Sequence, residues 1–142
     1  MKTSNELKPL WTPDPKNVME TNLSLFGNKA AAKYGFKEGD YESLHRWSIE
    51  QPEQFWEEVW TDAKVIYSRT YERVMGPPMM PGTRWFEGSQ LNFAENLLER
   101  GKDEDQVIRF TGETGKNSIL TCKELKTAVA RCAAGLKDAG VE

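Results

Sequence analysis

The apolar positions in the first third of the chain recur at helical spacing. Between Val18 and Tyr34 they follow one another three or four residues apart, at Met19, Leu23, Phe26 and Ala30. This stripe predicts a helix that ends at Gly35. Asp40 is the predicted cap of a second, shorter helix, which runs through Trp47.

The segment that begins at Gln51 has the clearest helical pattern of the front half. Pro52 suits the first turn, where its missing N–H leaves no helical bond unmade. One broad apolar face is formed by Phe55, Trp56, Val59, Trp60 and Ala63. Three acidic residues are predicted to lie early in this helix or on its outer side, namely Glu53, Glu57 and Glu58.

Other stretches of the front half depart from this helical pattern. Val65–Met75 is apolar and compatible with either a strand or a second helix. Gly76–Gly82 contains several prolines, which predicts a loop. Near the N-terminus, extended or turn backbone is favoured by Pro9, Pro13 and Pro15. Trp11 lies among them and is expected to dock onto another part of the molecule, since a solvated indole leaves a large apolar area uncovered.

The last third combines two strands with two capped helices. Asn92 and Glu95 are predicted to cap each other at the start of a helix that ends at Gly101. The β-rich runs 106–111 and 117–121 are separated by a polar turn, which predicts a hairpin. Thr121 and Glu124 form a second predicted capping pair. The helix that follows stops at Gly140, and its apolar face consists of Leu125, Ala128, Val129, Cys132 and Leu136.

Composition narrows the class of protein. The 142 residues are 38% hydrophobic and 29% charged, with a formal net charge of −3. This balance gives no electrostatic reason to expect nucleic-acid binding. Cys122 and Cys132 are too few for a disulfide framework and indicate a reducing compartment. The N-terminus lacks the apolar run of a signal peptide, and no stretch is long enough to span a bilayer, so a cytoplasmic (cytosolic) protein is expected.

One segment looks at first like a phosphate-binding loop, Thr111-Gly-Glu-Thr-Gly-Lys116. A Walker loop would need Gly where Phe110 stands, and Ser or Thr where Asn117 stands. Glu113 would also place a negative charge among the phosphates, which electrostatics opposes. The segment is therefore interpreted as a hairpin turn.

The remaining reactive side chains predict no catalytic, cofactor-binding or metal site in this chain. His45 is the only histidine, and a structural role is favoured because catalytic and zinc sites need several partners. Cys122 lies at a helix N-terminus, which can activate a thiol, although a small semi-buried residue is the favoured interpretation. Glu57 and Glu58 point apart on a helix, which favours a solvated face. The aromatic stripe of Phe55, Trp56 and Trp60 is interpreted as core.

A family resemblance rests on the stretch Trp85-Phe-x-Gly-x-x-Leu-Asn-x-x-x-Asn96. With the hairpin and the Thr-x-x-Glu-Leu helix that follow, it resembles the N-terminal region of short-chain acyl-CoA synthetases, AMP-forming ligases of the adenylating superfamily. Three segments are more similar to acetoacetyl-CoA synthetases than to acetyl-CoA synthetases: Trp11–Pro15, Leu44–Ser48 and Leu91–Leu97. The resemblance runs from about Leu10 to Val141. One departure is Cys122, where relatives usually carry an aromatic residue.

The resemblance implies an α/β fold, incomplete in this chain. Residues 1–90 would form an N-terminal helical extension, and residues 91–142 the first hairpin and helix of the AMP-binding large domain. The motif would carry the extension onto that domain, with the aromatic pair anchored by burial. This assigns a structural role to Trp85, Phe86, Gly88, Leu91, Asn92, Glu95 and Asn96.

The resemblance also implies a reaction for the complete enzyme. Acetoacetate and ATP, used with Mg²⁺, would form an acyl-adenylate, because a bare carboxylate has no usable leaving group. The thiol of CoA would then displace AMP. The phosphate loop, ribose-binding Asp and C-terminal Lys of the family do not occur here, so this chain alone is expected to be inactive. The alternative is a non-catalytic interaction module, or a truncated isoform, that binds a partner through its aromatic faces. The uncovered apolar faces would also favour self-association.

Overall fold

A computed structural model describes residues 10–141. The helices in this range are α1 (Pro15–Met19), α2 (Asn22–Tyr34), α3 (Tyr41–Glu50), α4 (Pro52–Asp62), α5 (Phe93–Leu98) and α6 (Cys122–Asp138). The strands are β1 (Arg73–Met75), β2 (Trp85–Glu87), β3 (Gln106–Thr111) and β4 (Asn117–Thr121). The chain divides into two compact units. The first runs to Lys64 and includes Glu72–Glu87, and the second comprises Val65–Tyr71 and the chain from Gly88 onward. This mixture of helices and small sheets agrees with the expected fold class.

The N-terminal arm differs from its prediction. Pro15 was expected in extended or turn backbone, yet it is the first residue of α1. Proline is tolerated there, and the Asp14 carboxylate caps the helix by accepting from the amide of Lys16 at 2.8 Å. Trp11 remains 76% exposed and is not docked in this structure. Pro9 lies outside the described residues.

The helical periodicity that begins at Val18 is divided between two helices. Val18 belongs to α1, and α2 starts only at Asn22 because Thr21 adopts an extended backbone and caps it. Gly35 ends α2 as predicted, with φ of 79° in the left-handed region that glycine enters without a steric penalty. The tight turn at Thr21 explains why one continuous stripe of apolar residues does not form one continuous helix.

The core of the first unit forms where α2, α3 and α4 meet. Ala30, Leu44 and Trp47 are buried there, and the rings of Phe36 and Phe55 lie 5.2 and 5.7 Å from that of Trp47. The indole N–H of Trp47 donates to Gln54 at 3.2 Å, which satisfies its single polar group. The predicted aromatic core is therefore confirmed for Phe55.

Asp40 caps α3 as predicted. Its side chain accepts from the amide of Ser43 at 3.0 Å. The hydroxyl and amide of Ser43 hold the pKa of this carboxyl below its ordinary value, since both bonds favour the charged form. The helix continues three residues past Trp47, to Glu50.

Strand β2, the second strand of the first unit, was not predicted from the sequence. Only Arg73–Met75 of the ambiguous run is a strand, and it pairs antiparallel with Trp85–Glu87, so that Arg73 lies opposite Glu87. Strands of three residues are too short to show an alternating pattern in the sequence. The loop predicted at residues 76–82 is confirmed and connects the two strands.

The second unit contains the predicted hairpin and the long helix α6. Strands β3 and β4 pair antiparallel, with Thr111 opposite Asn117. The Thr121–Glu124 capping box is complete, and the amide and hydroxyl of Thr121 keep the pKa of Glu124 below its ordinary value. Among the described residues the other predicted box is only half formed. The side chain of Asn92 caps the N-terminus of α5, but the side chain of Glu95 makes no hydrogen bond back to the amide of Asn92.

Candidate functional site

The motif that carries the family resemblance begins with two aromatic rings packed on one helix. The ring of Trp85 lies edge-on to that of Trp56 at 5.6 Å, and the ring of Phe86 lies 4.5 Å from that of Trp60. Trp56 and Trp60 are four residues apart on α4 and therefore share a face. The two neighbouring residues of β2 thus contact two successive turns of the same helix.

An unusual backbone conformation makes this double contact possible. In a regular strand, consecutive side chains point to opposite faces. Phe86 instead has φ of 49°, in the left-handed region that bulky residues rarely enter. We attribute the loss of alternation to this conformation, which costs about 1–2 kcal/mol for an L-residue. Trp85 remains 41% exposed, so its anchoring rests on ring contact and not on full burial.

The centre of the motif is polar and tightly bonded to the backbone. Asn92 precedes α5 and accepts from the amides of Ala94 and Glu95 at 2.8 and 3.2 Å. Gly88, with φ of 84°, uses backbone that favours glycine. Its carbonyl accepts from Nε of Arg69 at 2.6 Å. Leu91, between them, is 45% exposed. These bonds fix the path of the chain into α5.

Asn96 joins α5 to the segment 65–71. Its Oδ1 accepts from the amide of Ile66 at 2.8 Å, and its Nδ2 donates to the carbonyl of Ile66 at 2.8 Å. The same Nδ2 donates to the carbonyl of Asn92 at 2.9 Å. Asn96 is 8% exposed. A single buried amide therefore pairs with both backbone groups of Ile66, as a neighbouring strand would.

The interpretation of Glu58 as part of a solvated face is wrong. Its side chain is 2% exposed, and Nζ of Lys33 lies 2.6 Å from its Oε2. Nζ of Lys29 lies 3.3 Å from Oε1, and the hydroxyl of Tyr34 donates to Oε2 at 3.3 Å. Lys29 also contacts Asp62 at 3.2 Å. Two lysines one turn apart on α2 thus face two carboxylates one turn apart on α4.

The charge network lowers the pKa of Glu58 and raises the pKa values of Lys29 and Lys33. The hydrogen bond from Lys33, followed by that from Lys29, holds the pKa of Glu58 below its ordinary value despite the opposing effect of burial. Hydrogen bonds to Asp62 and Glu58 raise the pKa of Lys29, and the bond to Glu58 raises that of Lys33. Each group is thereby kept charged near neutral pH, which is the behaviour of a structural ion pair and not of a poised acid or base.

The other candidate groups are not brought together. The segment 111–116 forms a hairpin turn, as interpreted, with the amide of Gly112 donating to the carbonyl of Lys116 at 2.8 Å. His45 is exposed and stacks on Tyr41 at a ring distance of 6.1 Å. Cys122 is buried and its thiol donates to the carbonyl of Leu98 at 3.5 Å, whereas Cys132 is exposed. Both thiols are free.

The described residues do not fit the ion that the family uses with ATP. Within residues 10–141, no three His, Cys, Asp or Glu side chains are grouped so that they could hold a metal. Magnesium requires several oxygen ligands around one point. None of its described helices is long and apolar enough to cross a membrane.

Comparison with known proteins identifies the motif and its surroundings. Residues 41–97 match the family model described as acetyl-coenzyme A synthetase N-terminus. An acetoacetyl-CoA synthetase of Gallus gallus is 36% identical over 141 residues, which is 96% of this chain and 21% of that protein. The structure of an acetoacetyl-CoA synthetase from Streptomyces lividans matches 95% of this chain and 21% of its own, with a TM-score of 0.87 and 36% identity. This chain is similar to the N-terminal region of acetoacetyl-CoA synthetases.

This similarity confirms the resemblance stated from the motifs. It covers nearly all of this chain but only about a fifth of each relative. A malonamoyl-CoA synthetase of Penicillium aethiopicum is also 36% identical, over 82% of this chain and 17% of that protein. Relatives named for different acyl groups thus match this chain at the same identity, over different shares of it.

Proposed function

We propose that the chain is the N-terminal segment of an acetoacetyl-CoA synthetase-like ligase and is inactive alone. The complete enzyme would use ATP, with Mg²⁺, to convert acetoacetate into an acyl-adenylate, and the CoA thiol would displace AMP to give acetoacetyl-CoA. The observation that carries this proposal is the match to acetoacetyl-CoA synthetases over 96% of the chain. Acetoacetate is proposed because several relatives of similar identity bear that name. The proposed compartment is the cytosol.

Within such an enzyme the segment would serve as a structural base for the adenylating domain. We propose that residues 1–90 form the extension and residues 91–142 begin the large domain. Trp85 and Phe86 would fix the extension through α4, while Gly88, Leu91, Asn92, Glu95 and Asn96 would set the path into α5. This assignment is supported by the ring contacts to α4 and by the bonds between Asn96 and Ile66.

A chimera tests the proposal. The segment of the Streptomyces lividans protein that matches this chain would be replaced by residues 1–142, and acetoacetate-dependent formation of diphosphate and AMP would be measured. We expect activity in the chimera. We expect none from the 142-residue chain alone, nor from the same protein with the segment deleted.

Two results would contradict the proposal. A chimera that folds but shows no acetoacetate-dependent activity would show that the segment cannot serve such a ligase. Activity of the 142-residue chain alone would show that it contains catalytic groups of its own. Malonamate offered to the chimera serves as a control, because acyl preference should follow the Streptomyces part.

A further inference from the structure

The first unit contains an open cavity of about 160 Å³ between residues of α1, α2 and α3, which we call the α1–α3 cavity. Its apolar walls include Val18, Leu23, Phe36, Tyr41 and Leu44. Leu23 and Tyr41 are 55% and 63% exposed, so an apolar occupant would remove their surface from water. An apolar cavity of about 150 Å³ can bind a benzene molecule. The α1–α3 cavity therefore has room for an aromatic ring.

The polar groups around the α1–α3 cavity favour an aromatic occupant over an ionic one. Three of the polar side chains that line it already bond within the fold, namely Ser24, Asn28 and Asp40. Lys37 also lines the cavity. An ammonium group is attracted to the face of an aromatic ring, and to that of tryptophan most strongly. The cavity therefore suits an indole better than a charged group.

The chain itself presents such an indole on a stiff arm. Trp11 is 76% exposed and precedes the first residue of α1 by four positions. Thr12 and Asp14 each precede a proline, which favours extended backbone, and the ring of Pro13 fixes its own φ. Asp14 is extended, with φ of −62° and ψ of 127°. Four extended residues span up to about 14 Å, so the arm 11–14 carries the indole away from α1.

The stiffness of the arm selects a second copy of the chain as the source of the indole. The arm leaves α1 at its N-terminal end, whereas Val18, which lines the α1–α3 cavity, lies in the C-terminal half of that helix. To enter its own cavity, the arm would have to reverse direction within the residues that the prolines keep extended. An arm from another copy needs no such reversal. Exchange of an identical element between two copies is a low-cost route to a dimer.

We propose that two copies of this chain associate by arm exchange, with Trp11 of each copy seated in the α1–α3 cavity of the other. The indole would cover Leu23 and Tyr41 and present its face to Lys37. Both copies contribute the same arm and the same cavity, so the contact closes as a twofold dimer. The inference goes beyond the proposed function and does not rest on it, because it uses only residues of the first unit.

Sedimentation velocity of the 142-residue chain over a series of concentrations tests the arm exchange. The wild-type chain should pass from monomer to dimer. Trp11→Ala should raise the Kd of the dimer at least about tenfold, as the loss of a central aromatic side chain does. Leu23→Lys should do the same, because it places a charge in the apolar wall of the cavity. Far-UV circular dichroism would check that each variant remains folded.

Leu25→Lys is the matched control for Leu23→Lys. Leu25 lies on the same helix and is 59% exposed, close to the 55% of Leu23, but it does not line the α1–α3 cavity. Both variants add the same charge to α2. Leu25→Lys should therefore leave the Kd of the dimer within about twofold of the wild-type value, since surface substitutions outside a contact change little.

A mixture of two variants shows whether the arm acts on a second copy. The Trp11→Ala chain keeps an intact cavity, and the Leu23→Lys chain keeps an intact arm. Together they can form one of the two arm contacts, whereas neither variant alone can form an undamaged one. The mixture should therefore yield a heterodimer that is tighter than the homodimer of either variant.

Several results would overturn the arm exchange. A wild-type chain that stays monomeric at every concentration would do so, because the arm would then have no partner copy. Association that survives Trp11→Ala, or that Leu25→Lys weakens as much as Leu23→Lys, would show that another surface holds the copies together. A mixture without a heterodimer would exclude the contact between arm and cavity. The activity of the chimera enters none of these readouts, so the proposed function and the arm exchange fail separately.

Discussion

Replacing Asn96 should release the segment 65–71 from α5. The Asn96→Ala variant removes three hydrogen bonds of 2.8, 2.8 and 2.9 Å, two of them to Ile66. Each is worth about 1 kcal/mol net, so about 3 kcal/mol is lost when all three go. Ile66 is half-buried, so water can replace part of the loss. We therefore expect the free energy of unfolding to fall by about 2–3 kcal/mol.

Asn96→Asp sharpens this test because it keeps the shape of the side chain. The carboxylate still accepts from the amide of Ile66, but a negative oxygen now faces the carbonyls of Ile66 and Asn92. At neutral pH the loss should equal or exceed that of the alanine variant. Protonation restores one donor, and burial among carbonyls raises the pKa of this aspartate. The variant should therefore regain part of its stability as the pH falls.

The assay combines urea unfolding, followed by far-UV circular dichroism, with hydrogen exchange of the Ile66 amide. Asn92→Ala is the matched control. It removes two capping bonds of α5 at a cost of about 1 kcal/mol and leaves the Ile66 amide protected. The reasoning is refuted if Asn96→Ala costs no more than this control, or if the Ile66 amide exchanges at the wild-type rate in Asn96→Ala.

Three further predictions concern other parts of the chain. Glu58→Gln should cost about 1–2 kcal/mol at neutral pH, a low value because Lys29 and Lys33 are half exposed and regain water. Since the folded-state pKa of Glu58 lies below its ordinary 4.5, its contribution is present above that value and disappears as the pH falls through the folded pKa. The difference between wild type and Glu58→Gln in urea unfolding should thus vanish in acid, and a constant difference would contradict the ion network. A thiol reagent should modify the exposed Cys132 quickly and the buried Cys122 only on unfolding, so two fast thiols would be inconsistent with the packing of α6. Trp85→Ala should lower stability by about 1–2 kcal/mol through loss of the Trp56 contact without changing the acyl preference of the chimera, and a changed preference would argue against a purely structural motif.

The parts of the fold that could be predicted are those that depend on residues close together in the sequence. The caps at Asp40, Asn92 and Thr121 act on amides two or three residues away, so their role is visible in a short stretch of sequence. The hairpin follows equally from two β-rich runs and the turn between them. Periodicity alone misplaced the start of α2, because the cap at Thr21 competes with the apolar stripe and prevails.

The features that escaped prediction depend on distant parts of the chain. The burial of Glu58 goes together with its bond to Lys33, which lies 25 residues earlier in the chain. No residue close to Glu58 in the sequence indicates that it is buried. The one available signal was two lysines four residues apart on one helix and two carboxylates four residues apart on another. The left-handed conformation of Phe86 has no local signal either. It accompanies the contact between the rings of Phe86 and Trp60, which are distant in the sequence.

The proposed structural role of so distinctive a motif has a physical basis in its hydrogen bonds. A side-chain amide has two N–H donors and one oxygen acceptor. In Asn96 the donors serve the carbonyls of Ile66 and Asn92, and the oxygen serves the amide of Ile66. The side-chain oxygen of Asn92 accepts from two backbone amides at the start of α5. Both donors and the oxygen of Asn96 are therefore used to hold the backbone around α5 and Ile66. These bonds are what the proposed structural role of the motif requires.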